Sequence, residues 1–146
     1  MVNRFKSIFL VSLQFLFILL LVFGISLKNI SLSTITFMGL SATLMFWAII
    51  AMQKSKLSIL PEPTANAILI TNGPYRFIRH PMYTAILLGS TGILTQQFTW
   101  LRLAIFIALV ITLLVKLSWE EKMLSQKFEA YKNYMKQTKR IMPFII

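Results

Sequence analysis

The chain alternates long apolar runs with short basic segments. Between Lys6 and Lys28 it carries no charge, and Asn29 to Gln53 is a second uncharged stretch. Crossing a hydrocarbon core of about 30 Å takes roughly 20 apolar residues at about 1.5 Å per residue, so each run is long enough to span as a helix. These helices are predicted at about 7–27 and 30–53. Arg4 and Lys6 ahead of an apolar run also suit a signal peptide, but the run exceeds a usual h-region and no small-x-small cleavage site follows it. It reads as a retained helix. From Pro81 to Trp119 the chain is apolar again, interrupted by Thr95-Gln96-Gln97-Phe98-Thr99 and by Arg102. That pattern predicts a helical hairpin, about 81–96 and 100–119, with a polar tip. Its first arm is the weaker span, since Met82 to Thr95 would cover only about 21 Å, and a partly re-entrant arm stays open beside a full crossing. Beyond it Leu124, Phe128, Tyr131 and Met135 recur at helical spacing with lysines between them, predicting an amphipathic helix over about 120–138 on the membrane surface. The expected fold class is all-α, an integral-membrane bundle of four transmembrane helices with a C-terminal cytoplasmic amphipathic helix, in one domain over 1–146.

Charge sets the expected orientation. Apolar residues make up 57% of the chain and charged residues 13%, about half the share usual for a soluble protein. The 15 Lys and Arg residues against 4 Asp and Glu give a net charge of +11, which on so apolar a chain suits an anionic membrane surface and not nucleic acid. With both termini cytoplasmic, Arg4, Lys6, Lys54, Lys56, Arg76, Arg79, Lys116, Lys122, Lys127, Lys132, Lys136, Lys139 and Arg140 fall inside and only Lys28 and Arg102 outside. That is the orientation basic loops favour. The absence of cysteine removes disulfides, thiolate nucleophiles and thiolate metal sites, and a single histidine leaves no His-rich metal site.

Two polar clusters remain to carry chemistry. Residues 71–83, ThrAsnGlyProTyrArgPheIleArgHisProMetTyr, lead into the third helix: Gly73-Pro74 reads as a turn and Pro81 as a first-turn proline. The segment reads either as a turn and helix start at a lipid headgroup or as an anion site, with the helix N-terminus, Arg79 and His80 as donors. The second cluster is Glu120-Glu121, half of the acids in the chain, at the far end of the hairpin. It suits a cationic or hydroxyl-rich partner, or else Glu120 pairs with Lys116 one turn earlier. An antiparallel hairpin brings the two clusters to one end. A ligand carrying a carboxylate at one end and a cation or diol at the other would fit between them.

ThrAsnGlyProTyr, then ArgHisProMetTyr, then GluGlu followed by Leu124, Phe128, Tyr131, Tyr134, Arg140 and Pro143, resembles the isoprenylcysteine carboxyl methyltransferase family and its phospholipid N-methyltransferase relatives. The resemblance runs from about Leu60 to the C-terminus. It implies an integral-membrane enzyme that binds S-adenosylmethionine at the cytoplasmic helix ends, with no Rossmann domain. No strand followed by GxGxxG occurs here. By the same resemblance the backbone around Ala67, Ile68, Leu69 and Ile70 and the side chain of Tyr75 line the cofactor pocket. His80, Pro81, Met82 and Tyr83 continue it, and Glu120, with Glu121 beside it, binds the cofactor; Arg79, the donor beside the helix start, is counted with these cofactor-binding residues on its own chemistry. Lys116 stands where eukaryotic members carry an arginine associated with the acceptor, which keeps the charge but loses the bidentate fork. Ala85 occupies a position that is often glycine in such proteins.

The implied partners are membrane lipids and a methyl acceptor, with carboxylate, amine and thiol acceptors all open. Oligomeric state is open too. Two rivals come from other classes. A small multidrug-type transporter suits four short helices but wants an acid inside a span. A non-catalytic membrane adaptor explains the basic tail but not the order Tyr75, His80, Tyr83, Glu120.

Overall fold

The computed structural model describes residues 4–26, 28–53 and 68–141, and they form five α-helices: α1 (Arg4–Val22), α2 (Leu32–Met52), α3 (Pro81–Gln96), α4 (Trp100–Lys127) and α5 (Tyr131–Gln137). Among the described residues three helices, α1, α2 and α4, are long and apolar enough to cross a membrane. The 16 residues of α3 reach about 24 Å and fall short of that length.

Local chemistry sets the boundaries. The first helix stops at Val22, earlier than the apolar run predicts, because Gly24 takes the left-handed conformation at φ +66°. At the start of α2, Ser31 Oγ accepts from the Thr34 amide at 3.2 Å, and at the start of α4, Thr99 Oγ1 accepts from the Arg102 amide at 3.1 Å. Two boundaries at the C-terminal end differ from the expectation. With neither glycine nor proline between Trp119 and Lys127 to stop it, α4 continues through Glu120 and Glu121 to Lys127. The chain then turns extended at Phe128 and restarts as the short α5, so the helix expected over 120–138 is the tail of one helix and the whole of another.

The helices pair as α2 along α3 and α1 along α4. Small residues let α2 and α3 close up. A Cβ on Gly92 would lie 3.0 Å from Phe37 Cβ, one on Gly89 3.0 Å from Ser41 Oγ, and Ser41 Oγ donates to the Ala85 carbonyl at 2.7 Å. Leu109, Leu113 and Leu117 of α4 form the buried centre with Leu21 of α1 and Tyr83 and Ile93 of α3.

Both ends of the bundle are tied by polar contacts. At one end Gln96 Oε1 accepts from the Ser31 amide at 3.0 Å and from Thr34 Oγ1 at 3.1 Å. Arg102 bridges from α4 to the Phe23 carbonyl at 3.1 Å and the Gln97 carbonyl at 3.2 Å. At the other end the segment after α5 runs parallel to the segment before α3. The Arg79 amide donates to the Lys139 carbonyl at 2.7 Å, the His80 amide to the Arg140 carbonyl at 3.0 Å and the Lys139 amide to the Phe77 carbonyl at 3.2 Å. Thr84 Oγ1 completes the seam by donating to the Ile141 carbonyl at 2.6 Å.

Candidate functional site

That seam, the first turn of α3 and the last turns of α4 converge on the glutamate pair. A 3-10 turn, Gly73–Arg76, begins the approach. Gly73 has φ +60°, and a Cβ there would meet Ala51 and Trp47 at the end of α2, so the turn depends on glycine for both conformation and room. The turn delivers Tyr75, which is buried, and its carbonyl accepts from the Tyr134 hydroxyl at 2.6 Å.

The two glutamates take different partners. Both oxygens of Glu121 are held by arginines: Arg79 Nε donates to Oε1 at 2.6 Å, while Arg140 Nε and Nη2 lie 3.1 and 3.0 Å from Oε2. Arg79 Nη1 also donates to the Met135 carbonyl at 3.1 Å and to the Thr138 carbonyl, so this guanidinium knits α5 to α4. Glu120 instead accepts from the Tyr83 hydroxyl at 2.9 Å, and its side chain keeps 20% of its exposure against 6% for Glu121.

His80 lies between the two acids. Nδ1 is 3.5 Å from Glu120 Oε2 and Nε2 is 3.4 Å from Glu121 Oε1, while the ring stacks on Tyr83 with centroids 5.3 Å apart. Burial alone would push the imidazole pKa down, but a carboxylate at each ring nitrogen outweighs it and holds the value above that of an ordinary histidine. Nε2 is buried yet makes no hydrogen bond among the described residues, and the same holds for the hydroxyl of Tyr131. Burial, and after it the Glu121 carboxylate, push the Tyr131 phenol up; burial, and after it Glu120, do the same to Tyr75. Both phenols remain neutral donors near neutral pH.

The structure thus brings together Tyr75, Arg79, His80, Tyr83, Glu120 and Glu121. Pro81 is buried in the first turn of α3 and Met82 is half-buried beside it. On the approach to the turn, Leu69 and Ile70 are half-buried and Ile68 is exposed, while Ala67 lies outside the described residues. Lys116 does not pair with Glu120: its ammonium donates to Gln14 Oε1 of α1 at 2.8 Å and sits 5.1 Å from the centre of the Tyr83 ring. Sequence reasoning missed Gln14, whose one signal was an amide inside an apolar run, and left out of the site Tyr131, Tyr134 and Arg140, which the structure folds against it.

An all-helical bundle with helices fit to cross a membrane, and with a buried Tyr-His-Glu constellation at one end of it, defines a membrane protein with a polar site at its helix termini. Residues 35–131 match the phospholipid methyltransferase family, and the chain belongs to that family. It is a family of methyltransferases acting on membrane substrates, which makes this protein an enzyme by family. No protein of curated function matches the chain.

Proposed function

We propose that this protein transfers a methyl group from S-adenosylmethionine to a lipophilic or small acceptor, a carboxylate, amine or thiol, at the cytoplasmic face of the membrane. The observation that carries the reading is the division of labour between the glutamates. Glu121 is taken by two arginines, whereas Glu120 is oriented by Tyr83 and keeps an exposed edge. A fixed, partly open carboxylate suits the hydroxyls or the ammonium of such a cofactor, so the donor set fits the group. Tyr75, His80, Pro81, Met82, Tyr83 and the backbone from 67 to 70 would complete its surroundings.

When bound, S-adenosylmethionine supplies an electrophilic methyl on a sulfonium. The protein contributes alignment and exclusion of water, since no covalent enzyme intermediate is needed. Glu120 holds one end of the ligand, and Tyr83 keeps the Glu120 carboxylate from rotating away. A carboxylate acceptor is already ionised near neutral pH, while an amine must first lose a proton. The contact between His80 Nδ1 and Glu120 Oε2 is where that proton would be taken up. Lys116, buried between α1 and α4 beside Tyr83, is the cation that an anionic group on a lipophilic acceptor entering between the helices would meet. The distribution of basic residues supports both termini on the cytoplasmic side, with α3 as a short fourth crossing supported along its length by α2.

Calorimetric titration of the purified protein in nanodiscs with S-adenosylhomocysteine tests the reading. Saturable binding is expected, weakened about 10- to 100-fold in Glu120→Gln, the loss appropriate to a charged hydrogen bond of about 1.5–3 kcal/mol. A folded wild-type sample that does not bind would return the weight to the adaptor or transporter class.

A further inference from the structure

The site is closed from the C-terminal side by a residue that acts on two of its members at once. The carbonyl of Arg140 accepts from the His80 amide at 3.0 Å, while its guanidinium places Nε and Nη2 at 3.1 and 3.0 Å from Glu121 Oε2. The other Glu121 oxygen is thereby left to Arg79 at 2.6 Å and to His80 Nε2 at 3.4 Å. Arg140 is also the accessible member of the group. Its side chain is 43% exposed, against 8% for Arg79 and 6% for both His80 and Glu121. An exposed cation can therefore act on a buried imidazole through a buried carboxylate.

We propose that Arg140 is a positioning residue of the site, acting on His80 through Glu121 and so tying the C-terminal segment to the contact between His80 and Glu120. The groups facing the imidazole are Glu120 and Glu121 from α4 and Tyr83 from α3, and around Glu121 stand Arg79 from the segment before α3, Arg140 and, acting on it electrostatically, Tyr131 from α5. Two of the cations, Arg79 and Arg140, share the charge of Glu121 and limit how strongly that carboxylate holds a proton on His80. Removing the Arg140 charge strengthens that hold. Removing the Glu121 charge weakens it. The two changes therefore displace the His80 titration in opposite directions, which loss of packing alone would not do. Any consequence for methyl transfer rests on the function proposed above.

His80 is the single histidine of the chain, so its ring resonance can be followed against pH without assignment in the nanodisc-embedded protein. Arg140→Gln, which removes the charge and keeps a polar side chain, is expected to raise the His80 midpoint by on the order of half a pH unit. Arg140→Lys is expected to leave it near the wild-type value, and Glu121→Gln to lower it. Because Glu121→Gln strips buried Arg79 of its partner and can fail to fold, the Arg140 pair decides the matter. A midpoint unchanged or lowered in folded Arg140→Gln overturns the proposal, as does Arg140→Lys behaving like Arg140→Gln. S-adenosylhomocysteine titration of the same samples separates the outcomes: a wild type that fails to bind defeats the methyltransferase reading while the His80 shift still decides the role of Arg140.

Discussion

The ammonium of Lys116 and the side-chain oxygen of Gln14 meet at 2.8 Å across 102 residues of sequence, both side chains buried between α1 and α4. A buried ammonium that loses its acceptor is costly, although interhelical hydrogen bonds in membranes are generally worth less than their isolation suggests. The charge on Lys116 places this one at the upper end, about 1–2 kcal/mol. Gln14→Leu should lower the midpoint of thermal unfolding, and Lys116→Met in the same chain should recover part of the loss. Unfolding measurements around the full double-mutant cycle read the coupling directly. Additive effects of the two substitutions would remove the contact as a stabilising element.

Gly92 and Gly39 should respond oppositely to the same substitution. A methyl group on Gly92 would approach Phe37 Cβ to 3.0 Å and the Thr34 carbonyl to 3.4 Å, and neither atom can swing aside because one is fixed to the backbone and the other belongs to it. Forcing α2 and α3 apart costs about 1–3 kcal/mol, against roughly 1 kcal/mol gained when alanine replaces glycine in a helix. Gly92→Ala is therefore expected to destabilise. Nothing lies within 4 Å of a Cβ on Gly39, so Gly39→Ala should be neutral or stabilising. Equal midpoints for the two variants would contradict the close α2–α3 packing.

His80 gives the fold a signed dependence on pH. Its folded pKa is raised, burial opposing and the two glutamates prevailing. A group of that kind stabilises fully below its unfolded value, about 6.5, and loses the contribution as pH rises through the higher folded value. The apparent melting temperature should therefore decline on the alkaline side of about pH 6.5 in the wild type, and the decline should flatten in His80→Gln. With no other histidine in the chain, the difference between the two profiles belongs to this residue. Parallel profiles would show that its proton is not held by the folded state.

How much was legible beforehand followed the range of the interactions involved. Uncharged runs and the polar tip at Thr95 to Thr99 gave the course of the helices, because hydropathy is a local property. The approach of His80 and Tyr83 to Glu120 was also accessible, since a hairpin of known polarity carries the start of α3 to the end of α4. Helix ends were harder. Gly24 stops α1 by its left-handed backbone, while α4 runs past Trp119 because nothing interrupts it. Partners remote in sequence left no trace. Gln14 needed Lys116, and the different roles of the two adjacent glutamates depended on Arg140 folding back beside His80.

Arg102 supplies a contrast at the opposite end of α4. It is buried, and its two terminal nitrogens reach the Phe23 carbonyl after α1 and the Gln97 carbonyl after α3. One guanidinium thereby satisfies the backbone of two chain segments that the end of each helix leaves exposed. A lysine keeps the charge but presents a single point of donation on a flexible stem, so Arg102→Lys should free one of the two carbonyls. A loss of about 1–3 kcal/mol is expected in thermal unfolding. Along α4, Arg102 stands about 27 Å from Glu120, too far for the substitution to reach the glutamate pair except by unfolding the bundle. Affinity for S-adenosylhomocysteine should accordingly stay close to the wild-type value at temperatures where the variant remains folded. A variant that kept its stability would mean that water replaces the guanidinium at both carbonyls. One that lost affinity while folded would mean that the two ends of the bundle are coupled through α4.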